Sequence, residues 1–150
     1  MTVVEASTVV DAPAAVVWKV VSDPRNLPRW DRRIGRVRGS HEGPFRTGSR
    51  YETEVQFLGV RTRVPVVAEE VDEPEYARLR LGGLLSATVE TWLQELPKGR
   101  TRISHRVDYR FRGGVLGALA AETVGIIGAS TLLRRGIEAQ RRQIEAGVAG

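Results

Sequence analysis

Apolar and polar positions alternate with period two through the middle of the chain, the mark of antiparallel strands with one buried face. The alternation predicts strands over 2–10, 34–38, 49–57, 60–71, 76–81, 85–96 and 101–110. Turn chemistry separates them at Leu58-Gly59, Asp72-Glu73-Pro74-Glu75, Gly82-Gly83 and Pro97-Lys98-Gly99. After the last strand the period changes, and residues 116–146 run at helical spacing without proline. Two short helices are expected between the first two strands. Asp11-Ala12-Pro13 opens one, with Asp11 placed to accept from first-turn N–H groups and Pro13 where a missing N–H costs nothing. Asp23-Pro24 opens the other, which closes near Trp30.

Pairing the strands through their turns says which side chains share a face. Phe57 set against Val60 gathers Tyr51, Thr53, Val55 and Phe57 with Thr62, Val64 and Val66 on an apolar, inward face. Val71 set against Tyr76 adds Glu70, Ala77, Leu79 and Leu81. On the last strand Ile103, His105, Val107 and Tyr109 face inward, and Arg102, Ser104, Arg106 and Asp108 outward. Four-residue turns on both sides of 85–96 would turn Thr88, Glu90, Trp92 and Gln94 inward, with Trp92 opposite His105. The hydrophobic pattern alone favours the reverse, with Ala87, Val89 and Leu93 inside, one residue of slip away.

Composition narrows the picture. The 150 residues suit one domain spanning 1–150, with no repeat or low-complexity linker to divide them. The absence of cysteine excludes a disulfide framework, a thiolate metal site and a cysteine nucleophile. Two histidines, His41 and His105, would leave carboxylates to fill most of a zinc site, so no metal is expected, and nothing calls for another cofactor. The first residues lack the basic start and apolar run of a secretory signal, which points to the cytoplasm. Net charge is +5, and all but two of the 23 basic residues are arginine, a bias that fits a GC-rich genome better than a function. Arg25, Arg29, Arg32, Arg33, Arg36 and Arg38 cluster around Trp30 and could grip phosphates beside a stacking ring. The plainer reading leaves Arg25, Arg29, Arg32 and Arg33 in water and turns Leu27 and Trp30 inward. No nucleic-acid motif accompanies the charge, so a nucleic-acid partner is the alternative and not the expectation.

The N-terminal spacing carries a family likeness. Ser7-Thr8-Val9-Val10-Asp11-Ala12-Pro13, the helix that follows, and Ser22-Asp23-Pro24-Arg25-Asn26-Leu27-Pro28-Arg29-Trp30 resemble the start of the SRPBCC superfamily. These START-like helix-grip domains include polyketide cyclases/dehydrases and lipid carriers. The resemblance implies an α+β fold: a seven-stranded curved antiparallel sheet wrapped on a long C-terminal helix, with two short helices after the first strand. It also implies a hydrophobic, polyketide-like or lipid-like ligand in an internal cavity. Tyr51, Thr53, Phe57, Thr62, Trp92, Val107 and, from the C-terminal helix, Leu119, Thr123 and Ile127 are the expected lining. Cyclisation or dehydration of a polyketide would add acid–base work, for which His105, Glu90 and Tyr109 are the candidates. Aromatic cyclases of this kind commonly hold the polyketide's oxygens with a pocket arginine, whereas the strand arginines here all point outward by parity.

Residues 115–133 contain one charge, Glu122, and three glycines, Gly117, Gly125 and Gly128, at about 1 kcal/mol each against alanine. Close approach to the sheet or a ligand would explain them. The charge and the glycines argue against a membrane span, while contact with a membrane surface or a second copy through this helix stays open. The superfamily likeness also reaches proteins that protect antibiotic producers by binding a reactive drug. Gly113-Gly114 would then offer backbone Cα–H groups for radical abstraction, or would simply permit the bend into the helix.

Overall fold

The computed structural model describes residues 2–39, 43–57, 59–112 and 114–149, without the side chains of Phe57, Val115, Leu116, Thr123, Ile126, Ile127 and Ala149. Seven strands form one antiparallel sheet: β1 (Thr2–Val10), β2 (Ile34–Arg38), β3 (Arg50–Phe57), β4 (Val60–Asp72), β5 (Tyr76–Leu81), β6 (Leu85–Leu96) and β7 (Arg100–Phe111). Their order across the sheet is β1-β7-β6-β5-β4-β3-β2, so the first strand closes beside the last. Two short helices, α1 (Ala14–Val21) and α2 (Leu27–Trp30), follow β1, joined by a 3-10 turn over Pro24–Asn26 that Asp23 caps through the Arg25 N–H. Two helices end the chain, α3 (Val115–Ile127) and the long α4 (Ala129–Ala149), which packs on β1, α1 and α2.

The inner face of the curved sheet and the inward stripe of α4 make the core. Val10, Trp18, Val64, Val66, Ala68, Ala77, Leu93, Ile103, Ile137 and Ile144 are buried together. Ile137 and Ile144, a heptad apart, are buried on α4 together with Gln140 between them. Trp18 meets Phe45 edge to face, with centroids 6.0 Å apart. Carboxylates tie α4 to the β1 edge: Glu138 accepts from Thr8 Oγ1 at 3.1 Å, and Glu145 from the Asp11 N–H at 3.0 Å.

Four expectations are corrected. Asp11 does not cap α1; the cap position is Pro13, with no side-chain hydrogen bond. The predicted single C-terminal helix is broken at Gly128, whose φ of 90° takes the chain out of helical conformation between α3 and α4. A bulge between Ala68 and Glu70 shifts β4, so Glu70 is exposed and meets Arg78 at 3.3 Å while Ala68 and Ala77 stay inside.

The fourth concerns β6. Its pairings of Leu81 with Ala87 and Leu96 with Arg100 each differ by one residue from the turn-based expectation. At the second turn, Lys98 adopts a φ of 66°, which lets the chain reverse within three residues. Thr91 then pairs with His105 and Leu93 with Ile103, while Glu90 and Trp92 fall on the outer face opposite Arg106 and Ser104. The register buries Ala87 and Leu93, the choice the hydrophobic pattern favoured.

Candidate functional site

A cavity of about 360 Å³ lies between the inner face of the sheet and the helices. β7 supplies His105, Val107, Tyr109 and Phe111 in alternation, one wall drawn from a single strand face. Leu85 and Ala87 of β6, Leu81 of β5, Val55 of β3 and Val4 of β1 extend it. Leu132, Leu133, Gly136, Ile137 and Gln140 of α4 form the roof, with Val124 of α3 at its end. Leu27 and Trp30 of α2, followed by Asp31, Arg33 and Ile34, line the remaining side. Polar chemistry is confined to a few places on an otherwise apolar surface, the usual composition of a small-molecule site.

The first polar place is His105, 8% exposed. Its Nε2 lies 2.7 Å from Gln140 Oε1 and its Nδ1 2.8 Å from Thr91 Oγ1. With the Gln140 carbonyl accepting, Nε2 carries the proton and Nδ1 accepts from the Thr91 hydroxyl, which fixes a neutral tautomer. Burial pushes the imidazole below its ordinary value, and the Gln140 hydrogen bond offsets only part of that. Both ring nitrogens therefore already have protein partners. Gln140 and Thr91 were missed from sequence. Gln140 had a signal, since it is a polar residue on the same α4 stripe as Ile137 and Ile144.

The second place is the turn after α2. Asp31 receives Arg33 Nε at 3.0 Å, Nη2 at 2.5 Å and the Arg33 backbone N–H at 3.0 Å. Burial works to raise the Asp31 carboxyl, but the Arg33 hydrogen bonds and charge outweigh it and hold it below the usual carboxylate value. Arg33 was expected in water; its side chain is only 28% exposed, and it lines the cavity from a turn that strand parity could not reach. Trp30 was expected in the core. It is instead half-buried at the cavity wall, where its Nε1–H donates to Gln143 Oε1 at 2.8 Å. Gln143 in turn donates to Asn26 Oδ1 at 3.0 Å, linking α4 to the turn before α2.

Of the residues expected at the site, the cavity brings together His105, Val107 and Tyr109. Tyr51 and Thr53 are buried on the same sheet face but pack away from the cavity, and burial pushes the Tyr51 hydroxyl up. Thr62 is half-buried on β4 and Leu119 on α3, and neither lines the cavity. The side chains of Phe57, Thr123 and Ile127 lie outside the described residues, as does Gly113; Gly114 is exposed where α3 begins. Glu90 and Trp92 are displaced to the outer face by the β6 register. There Glu90 accepts from Tyr76 Oη at 2.7 Å, and the Tyr76 and Trp92 rings lie 5.6 Å apart. Among the described residues no cluster of acidic, histidine or cysteine side chains could hold a metal ion, and no helix is long and apolar enough to cross a membrane.

Comparison with known proteins agrees with this architecture. The family described as polyketide cyclase / dehydrase and lipid transport matches residues 1–145. Among curated proteins no sequence matches the chain. A protein of Thermus thermophilus superposes with a TM-score of 0.76 at 14% identity, covering 97% of this chain and 99% of that one. The ZhuI aromatase/cyclase of Streptomyces sp. R1128 gives 0.68 at 19% identity, over 97% and 98%. The di-domain aromatase/cyclase BexL of the BE-7585A biosynthetic pathway gives 0.67 at 18% identity, over all of this chain and 48% of that one. At such identities the likeness to these structures is one of fold.

Proposed function

Because the chain belongs to the polyketide cyclase/dehydrase and lipid transport family of the SRPBCC superfamily, we propose that it binds an apolar molecule of two or three rings between the sheet and α4. The observation that carries this reading is the cavity itself, about 360 Å³, walled by one face of β7 and roofed by α4. That volume stands near the lower end of small-molecule sites, roughly a dozen water molecules' worth. It suits a compact ring system and is too small for a two-chain lipid. Val107 and Tyr109 would contact the rings, with Leu27 and Trp30 on the opposite side. Carriage, or sequestration of a reactive natural product, would use the same contacts.

Acid–base chemistry on the bound molecule is the second reading, favoured by His105 and Tyr109 on one wall. Four residues along β7 separate them, about 13 Å, so they would flank a fused-ring ligand without sharing a proton. His105 would act only once Gln140 releases Nε2. Native mass spectrometry with hydroxylated polycyclic aromatics tests the binding reading, with Val107→Phe as the cavity-filling variant. One-to-one complexes that Val107→Phe abolishes, with its melting temperature nearly unchanged, are expected. Complexes that survive the filling would place the ligand elsewhere. For catalysis, product formation from a polyketide intermediate unchanged in His105→Ala would remove His105 from the chemistry.

A further inference from the structure

The cation at the cavity wall is already neutralised. Asp31 and Arg33 stand two residues apart in the turn between α2 and β2, and both line the cavity. The carboxylate takes Nε, Nη2 and the Arg33 backbone N–H at 3.0, 2.5 and 3.0 Å, so the pairing is built into the turn itself. Asp31 stays ionised at neutral pH because the Arg33 contacts outweigh its burial. The other titratable groups among the described lining residues are His105, which burial keeps neutral, and the Tyr109 phenol. The lining thus holds one anion and one cation, bound to each other. A charged ligand would leave water for an apolar site with no counter-charge to meet it, a costly transfer. An unmasked arginine would do the opposite and draw carboxylates or sulfonates in.

We propose that Asp31 masks Arg33 and so makes the cavity selective for uncharged ligands, turning away fatty acids and other apolar anions. Asp31 engages Nε and Nη2 of that guanidinium. The inference rests on the cavity reading above and names its ligand class.

Anilinonaphthalene and its sulfonate test this directly, since the two fluorophores share one ring skeleton and differ by the charge. Titrations would count only the sulfonate signal that the neutral dye displaces, which removes binding to surface arginines. The wild-type protein is expected to bind the neutral dye about tenfold or more tightly than the sulfonate. Asp31→Asn should close or invert that gap by strengthening the sulfonate, and Arg33→Met should widen it by weakening the sulfonate. The opposite signs keep the test decisive if one variant fails to fold. Equal binding of both dyes by the wild type, or a gap that neither variant moves, overturns the masking. Failure of the wild type to bind either dye would instead overturn the cavity reading on which it stands.

Discussion

His105 joins β7 to β6 through Thr91 and to α4 through Gln140, so a second proton, on Nδ1, has to turn the Thr91 hydroxyl from donor to acceptor. Its folded value lies below the ordinary 6.5, so as pH falls the unfolded chain takes up the proton first. Stability is therefore full above about pH 6.5 and declines as pH drops toward the depressed folded value. The denaturant midpoint of the wild type should fall between about pH 7 and pH 5 by more than that of His105→Gln, which cannot charge. Identical pH profiles would show that the imidazole protonates without loss. The arginines near α2 divide in the same residue-by-residue way. Arg33→Gln leaves a partly buried carboxylate without its partner and should cost about 1–3 kcal/mol in chemical denaturation. Arg32→Gln should be silent. Trp30→Phe keeps an aromatic side chain but loses the bond to Gln143, and about 1 kcal/mol of destabilisation is expected from that bond.

At the scale of elements, two glycines shape the ends of α3. A Cβ on Gly117 would stand 1.7 Å from the Arg112 carbonyl oxygen, a backbone atom that cannot swing aside. Gly117→Ala should therefore displace α3 and weaken binding of the neutral dye, while β-sheet circular dichroism remains. Gly128→Ala forces a side chain to a φ of 90° and should cost about 1–3 kcal/mol by denaturant titration. The β6 register has its own readout. Trp92 is 39% exposed and Trp18 is 1% exposed, so acrylamide should quench a component of the fluorescence that Trp92→Phe removes. Quenching left unchanged by Trp92→Phe would mean the strand is shifted by one residue. Sequence alone left that register open because turn length and hydrophobic face gave opposite answers, and Lys98 at positive φ resolves them. A non-glycine residue in that conformation has no compositional mark that separates a three-residue turn from a four-residue one.

At the scale of the molecule, the family resemblance implied the assembly, and what the chain itself displayed was the alternation of its strands and the starts of its two short helices. They are local signals repeated along the chain, and the burial of one sheet face enforces them. The cavity was legible only where a strand crosses it, as at His105, Val107 and Tyr109. Its other walls come from elements whose facing depends on tertiary packing: Gln140 on a helix, Trp30 and Arg33 beside a turn. The ties of α4 are unevenly distributed along its length. Glu138 and Glu145 reach β1, Gln140 reaches His105, and Gln143 reaches Trp30 and Asn26. Before them, in the turns that follow directly on Gly128, Ala129, Leu132, Leu133 and Gly136 line the cavity with apolar contacts. Mechanically, and among the described residues, α4 is a beam clamped by side-chain hydrogen bonds to other elements at one end and free of such bonds at the other, where Gly128 joins it to α3. Such a beam bends near its root, so a guest would enter by lifting the free end while the clamped turns keep the sheet closed. Amide hydrogen exchange should rise steeply from residues 138–145 toward 129–136, and a bound ring compound should slow the free end most. Uniform protection along the helix would mean that the roof is rigid and the door is elsewhere.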